Sequence, residues 1–267
     1  MVVRNIIFSV IIPTHKRSVL LSRALQSVKA QSQQRDLEVI VVSDVIDSST
    51  DAVCNVYLGV DDIYIRRNGI AGPSGSRNLG KSLASGHYIL FLDDDDAWHP
   101  HFLKNLYEGI RLHPNHSLYF DCSVAKETRS SSEPRFISET VLNLQNMLTM
   151  NVYVKNQVHM SCFSFPRAIV SNLSFDSSMR AYEDWDFQLS VYDQEFPIHV
   201  PLLGSRIFEV DDPSSDRRGS SQAATDLNAV FDYLYVYRRH PAPDDRIREM
   251  RQQLLTSVGF RIDKDLL

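Results

Sequence analysis

Four consecutive aspartates, Asp93–Asp96, follow directly on the apolar stretch Tyr88–Leu92, and few folds can accommodate that junction. Like charges this close repel one another, and burying them unpaired is costly. An apolar run that ends so abruptly reads as a buried strand whose carboxyl end opens onto a cleft, where open α/β sheets bind their ligands. Two readings of the run stand side by side. A divalent cation would relieve the repulsion, because hard carboxylate oxygens on a stiff segment suit Mg²⁺ or Mn²⁺. Alternatively, the run is a solvated acidic turn that caps a helix beginning near Pro100.

Around this junction strand and helix signals alternate. Buried-type strands are read at Phe8–Ile12, Leu37–Val42, Asp62–Arg66, Tyr88–Leu92 and Leu118–Val124. Helical spacing marks Val19–Ala30, Asp51–Tyr57, Ser76–Ser85 and Pro100–Leu112. Such alternation predicts a mostly parallel sheet with helices on both faces. The second half is less regular. It reads as a polar loop at Glu127–Pro134, a helix over Ser138–Met150, and a strand over Gln157–Phe165. A helix over Tyr182–Gln194, a strand over Ser205–Val210 and a Ser/Gly/Arg-rich loop at Asp211–Ser221 follow. Two last helices, Ala223–Tyr237 and Asp244–Val258, are separated by the breaker His240-Pro241-Ala242-Pro243.

At 267 residues the chain can bury a substantial core, and its 43% hydrophobic and 23% charged residues are ordinary for a globular protein. A net charge of −5 gives no whole-chain case for binding nucleic acid. Cys54, Cys122 and Cys162 stand far apart and read as buried thiols in a reducing compartment. The N-terminal apolar run is broken by Arg4 and Asn5 and reads as a first core strand rather than a leader. No segment is long enough to span a bilayer, so a cytoplasmic location is expected, with peripheral contact at the inner membrane face left open. The basic tract Arg238-Arg239 with Arg246, Arg248 and Arg251 is the candidate for that contact. Apolar stripes at Leu227, Val230, Phe231 and Leu234, then Ile247, Met250, Leu254 and Val258, read as core or homodimer packing.

Several segments together carry a family resemblance. Phe8–Arg17 is similar to the opening strand and loop of the family 2 glycosyltransferases, and Glu38–Asp44 to their second strand. Gly75-Ser76-Arg77-Asn78-Leu79-Gly80, followed by Ala84–Asp96, resembles their central signature, and Tyr182–Phe187 their downstream acidic motif. These motifs fall in the family's order across about residues 6–190. The resemblance implies a GT-A fold: a Rossmann-like, open, mostly parallel α/β sheet with helices on both faces, plus C-terminal helices. It implies a catalytic domain over 1–221, with nucleotide-sugar binding in 1–125 and the acceptor and base half in 126–221. Residues 222–267 would form a helical extension packed on it. The activity implied is inverting transfer of a sugar from a nucleotide-sugar, a UDP-sugar by preference, to a glycan or lipid-linked acceptor.

Roles for individual residues follow from the same resemblance. Asp44 offers an acceptor to the ring N–H of a uracil-type base, or else caps a turn; Pro13, Thr14 and His15 line the nucleotide. Arg77 holds a carboxylate of the acidic run or the nucleotide in bidentate fashion. The family's D-x-D pattern falls on Asp93 and Asp95, which an extended chain would turn to one face. That makes Asp95 the principal Mn²⁺ or Mg²⁺ ligand, with Asp93 near it or the ribose, while Asp94 and Asp96 cap the next helix or pair with cations. Asp184 is the expected catalytic base, supported by Glu183 and Asp186. Trp185 is expected against a sugar ring, Trp98 on the floor of the donor pocket or in the core, and Arg217 and Arg218 on a loop over the diphosphate.

Rival classes fit less well. A haloacid dehalogenase-type phosphatase places its D-x-D after the first strand, with Thr or Val following, whereas here it follows the fourth and position 97 is Ala. A sugar nucleotidyltransferase needs a glycine-rich loop where Pro13-Thr14-His15-Lys16-Arg17 has none. An inactive carbohydrate-binding scaffold would not need acidic groups at both Asp93–Asp95 and Glu183-Asp184. The late loop contains no histidine, leaving a third metal ligand unassigned, and the chain reads equally well as one module of a longer polypeptide.

Overall fold

The computed structural model describes residues 6–32, 36–129, 134–211 and 227–267. Its N-terminal half alternates β1 (Phe8–Thr14), α1 (Ser18–Lys29), β2 (Leu37–Ser43), α2 (Ser48–Tyr57), β3 (Ile63–Arg66), α3 (Pro73–Leu83) and β4 (Tyr88–Phe91). Every residue of β1, β2 and β4 is buried, as expected of parallel strands covered on both faces. The strand order is β3-β2-β1-β4, all parallel. The chain moves one way from β1 to β3, then crosses back over both strands to β4. Right-handed crossovers in opposite directions put α1 and α2 on one face and α3 on the other. The reversal between β1 and β4 opens a crevice at their carboxyl ends.

Two of the polar residues buried inside this apolar layer, Ser9 and Glu38, satisfy each other. Ser9 and Glu38 are register partners, and the Ser9 hydroxyl donates to the Glu38 carboxylate at 2.5 Å. Glu38 also accepts from the Ser85 N–H at 2.6 Å, and the Gly86 N–H donates to Ser9 Oγ at 2.8 Å. A Cβ on Gly86 would lie 2.6 Å from Ser9 Oγ and 2.8 Å from its backbone nitrogen. This glycine thus lets the α3–β4 turn seat on β1 immediately before the strand that delivers the acidic run.

Beyond β4 the sheet becomes mixed. β5 (Ala97–Trp98), α4 (Phe102–Leu112), β6 (Leu118–Thr128), β7 (Arg135–Leu142), β8 (Phe163–Pro166), α5 (Arg167–Val170), α6 (Glu183–Tyr192) and β9 (Ile198–Val210) extend the order as β4-β8-β6-β9-β5, with β7 on β6. The helix expected over Ser138–Met150 is replaced by β7 and a turn. Ile137, Val141, Leu144 and Leu148 have helical spacing, but Arg135–Leu142 pairs antiparallel with β6 instead. Of the strand expected over Gln157–Phe165, only its end enters β8; Met160–Cys162 is a single 3₁₀ turn. β9 is far longer than Ser205–Val210, because two register shifts against β6 absorb Pro201 and Gly204. Gly204 sits under the Phe120 ring, and a Cβ there would come within 2.3 Å of it. Gly204→Ala is therefore expected to destabilise the fold by about 1–3 kcal/mol through overpacking, read from urea unfolding at constant m-value.

The C-terminal helices α7 (Leu227–Arg239) and α8 (Asp245–Ser257) share this core through Val230, Val236, Tyr237, Ile247 and Leu255, whereas Phe231 is exposed. The candidate basic tract is divided between surface and interior, with Arg238 and Arg246 exposed. Arg251 is fully buried and donates to the carbonyls of Tyr153, His240 and Leu267. Arg239 pairs with Asp186 and Asp176, and Arg248 with Asp245. Cys54, Cys122 and Cys162 are buried free thiols. Among the described residues, no helix is long and apolar enough to cross a membrane.

Candidate active site

The crevice between β1 and β4 opens into a cleft of about 770 Å³. Each wall follows from an element end: Pro13, Thr14 and His15 from β1, Asp44 from β2, Arg77 from α3, the acidic run from β4, and Glu183 and Asp184 from the first turn of α6. An aromatic cluster under β4 draws α6 to this place. Phe91 meets Phe175 and Phe187 edge-on, with centroids 5.1 and 5.9 Å apart, and Phe175 stacks on Phe187 at 4.0 Å.

The acidic run is a turn rather than an extended chain, closed by the Asp96 N–H on the Asp93 carbonyl at 3.0 Å. The expected alternation of faces is therefore lost, and each carboxylate has its own partners. Asp93 accepts from Arg77 Nη2 at 2.7 Å. Asp94 accepts from the Thr14 hydroxyl at 2.7 Å and from Arg17 at 3.2 Å. Asp95 faces Arg129 at 3.0 Å and Arg17 at 3.5 Å. Asp96 accepts from the Ser161 hydroxyl and the Phe208 N–H, so neither Asp94 nor Asp96 caps the following helix. Burial raises Asp94 to about 6 against the pull of Arg17, and raises Asp96 to about 7 against the pull of His159. Burial would also raise Asp93, but Arg77 and His159 together hold it below the usual carboxylate range.

Arg77 joins the two acidic motifs. Its guanidinium is buried, binds Asp93 with Nη2 and Glu183 with Nη1 at 3.2 Å, and faces the Phe175 ring at 5.4 Å. Burial raises the Glu183 carboxyl despite this partner. Asp184, the next residue, turns away from Arg77. One of its oxygens accepts from the Asn156 amide at 3.2 Å and the other from its own helix's Trp185 N–H at 2.8 Å. Asp186 points to the opposite side, where it is fully buried against His240 and Arg239 and anchors α7.

Asp44 is pinned at the cleft edge by two donors, the Gly72 N–H at 2.7 Å and His15 Nδ1 at 2.5 Å. A carboxylate has lone pairs for further donors. Both tryptophans lie outside the cleft. Trp185 is fully buried, donates Nε1 to the Val152 carbonyl, and packs against Tyr182, Tyr233 and Tyr237, so it cannot stack on a sugar. Trp98 is buried against Phe102 and does not floor the donor pocket. Arg217 and Arg218 lie outside the described residues.

The family model described as glycosyl transferase family 2 matches residues 9–167, from β1 to the start of α5. The chain belongs to this family. It is 29% identical over 207 residues to GalNAc(5)-diNAcBac-PP-undecaprenol beta-1,3-glucosyltransferase of Campylobacter jejuni, covering 76% of this chain and 65% of that relative. It is 28% identical over 197 residues to succinoglycan biosynthesis protein ExoW of Rhizobium meliloti, covering 66% and 60%. The chain thus spans less than two thirds of the length of either relative. Among solved structures, S. aureus TarS 1-349 in complex with UDP superposes with a TM-score of 0.63 at 18% identity, covering 94% of this chain and 71% of that one. The fold is the shared property at that identity.

Within this family 2 site, several residues escaped the sequence reading. Arg17, Asn156 and Tyr182 line the cleft, and Arg129 reaches Asp95 from the end of β6. His159 stands beside the acidic run, its ring nitrogens 3.8 Å from Asp93 and 3.7 Å from Asp96. Burial disfavours its charged form, but Asp96 and Asp93 outweigh this and raise its pKa. Asp93, Asp96 and His159 offer ligand atoms within 4.8 Å of one another, a hard-oxygen and imidazole set suited to Mn²⁺ or Mg²⁺. Arg17 and Tyr182 stand at the edges of the first and last motifs, whereas no local pattern marks Arg129, Asn156 or His159.

Proposed function

We propose that this chain moves a sugar from a UDP-sugar to a saccharide or lipid-linked acceptor with inversion at the anomeric carbon. One observation carries the reading: Asp44, Asp93–Asp95 and Glu183-Asp184, which come from three separate motifs, line a single cleft at the switch point of the sheet. Asp44 accepts from the base, Pro13, Thr14 and His15 border the nucleotide, and Asp184 takes the acceptor's hydroxyl proton. Further support comes from solved TarS structures in complex with UDP and with UDP-GlcNAc, and from the undecaprenol-linked substrate in the name of the Campylobacter relative.

A divalent cation fits the donor set. Asp95 and Asp93 would hold it on the cleft side, with the His159 imidazole 3.8 Å from Asp93. When bound, the cation neutralises charge on the departing diphosphate. Arg77 meanwhile keeps Asp93 ionised and ties it to Glu183 beside the base.

Thermal unfolding with a panel of nucleoside diphosphates, each with and without Mn²⁺, tests this reading. UDP with Mn²⁺ at about a hundredfold excess over its Kd should raise Tm by about 5 °C or more. Asp95→Asn should keep the wild-type Tm without ligand and lose the Mn²⁺-dependent part of the rise. An equal rise with excess chelator, or no rise with any nucleotide, contradicts the reading.

A further inference from the structure

We propose that Arg17 and Arg129 are stand-in counter-ions for Asp95, displaced when cation and nucleoside diphosphate enter together, and that Arg17 then binds the diphosphate. The inference rests on the cation reading above and adds to it an order of events and a diphosphate ligand. The Asp95 carboxylate is occupied by two guanidinium groups converging on the same oxygen, Arg129 at 3.0 Å and Arg17 at 3.5 Å. A cation that takes this oxygen must therefore displace guanidinium charge.

The two arginines differ in what they can do once displaced. Arg129 has a second carboxylate to hold it, since its Nε donates to Glu127 at 2.7 Å. Among the described residues, Arg17 has no such retreat outside the acidic run. It is half exposed, lines the cleft, and its remaining partner is Asp94. The loop that carries it leaves β1 through Lys16 in left-handed conformation (φ 50°), which aims the next side chain back over the carboxyl ends of β1 and β4. A guanidinium fork in that place matches a phosphate group.

Charge makes the two ligands depend on each other. Asp44, Asp93, Asp94, Asp95, Glu183 and Asp184 face the cleft, so a diphosphate alone meets repulsion. A cation alone must displace arginines that gain nothing in return. Entering together, the cation takes Asp95 and the diphosphate takes Arg17. The coupling is reciprocal: UDP tightens Mn²⁺ binding by the factor by which Mn²⁺ tightens UDP binding.

The test measures free Mn²⁺ by electron paramagnetic resonance in titrations of wild type, Arg17→Gln and Arg129→Gln, with and without UDP, after circular dichroism has verified folding. Without nucleotide, both variants should bind Mn²⁺ about tenfold more tightly than wild type, because a competing cation is gone. With saturating Mn²⁺, Arg17→Gln should bind UDP about tenfold more weakly and uridine unchanged. Unchanged or weaker Mn²⁺ binding in the folded variants overturns the counter-ion role, as undiminished UDP binding by Arg17→Gln overturns the diphosphate contact. If Arg129→Gln does not fold, Arg17→Gln decides both points. Wild type that binds no Mn²⁺ at any UDP concentration overturns the underlying cation reading, a result distinct from either.

Discussion

Asp184→Asn should lose sugar transfer by about 10²-fold or more while binding UDP and Mn²⁺ as wild type does. The substitution removes the basic oxygen at nearly constant shape. The Asn156 amide and the Trp185 N–H both orient the carboxylate. Glu183 is the competing candidate, and its geometry differs. It is committed to Arg77, and burial keeps its carboxyl raised, so Glu183→Gln should disturb the joint between the acidic motifs rather than remove the base. Normal transfer by Asp184→Asn with a dead Glu183→Gln would move the base by one residue. Proton NMR of the first product reports the anomeric configuration; retention would exclude the single displacement.

Arg77→Met should be the most destabilising substitution in the cleft, by about 3–5 kcal/mol at pH 7. It leaves the partly buried Asp93 and Glu183 carboxylates close together with their shared, buried cation gone. Without Arg77, burial pushes the Glu183 carboxyl further up, and Asp93 keeps only His159 and Arg17 against the same pressure. A raised carboxyl favours folding only when protonated, so the penalty is absent below the unfolded pKa and grows as pH rises through the folded one. Urea unfolding at pH 7 and at pH 5 should therefore show a smaller loss at the lower pH. An equal loss at both would mean that Arg77 acts through packing on Phe175 rather than through charge.

The parts of this account that were legible in the sequence are those encoded locally. β1, β2 and β4 are mainly apolar runs, interrupted only by Ser9 and Glu38 before their polar ends, and the acidic run declares the carboxyl end of β4 without reference to anything distant. That Asp44, Arg77, Asp93, Glu183 and Asp184 converge became readable only through the family's motifs. What stayed hidden is what long-range contacts decide. Asp96 is held by Phe208, 112 residues away, and Arg77 reaches Glu183 across 106. Trp185 sits next to the expected base, yet the helix turns its ring into Tyr182 and the tyrosines of α7 rather than toward the cleft. The apolar residues of β7 satisfy helical spacing, and only pairing with β6 makes them a strand.

The most direct test of the central claim is calorimetric titration of UDP and CDP, in Mn²⁺, into wild type and Asp44→Ala. Cytosine has no ring N–H to offer Asp44, so wild type should bind one UDP per chain at least about tenfold more tightly than CDP, and Asp44→Ala should lose that preference. Equal binding of the two nucleotides by wild type, or no binding of either, would contradict the assignment of this cleft to a uridine diphosphate sugar.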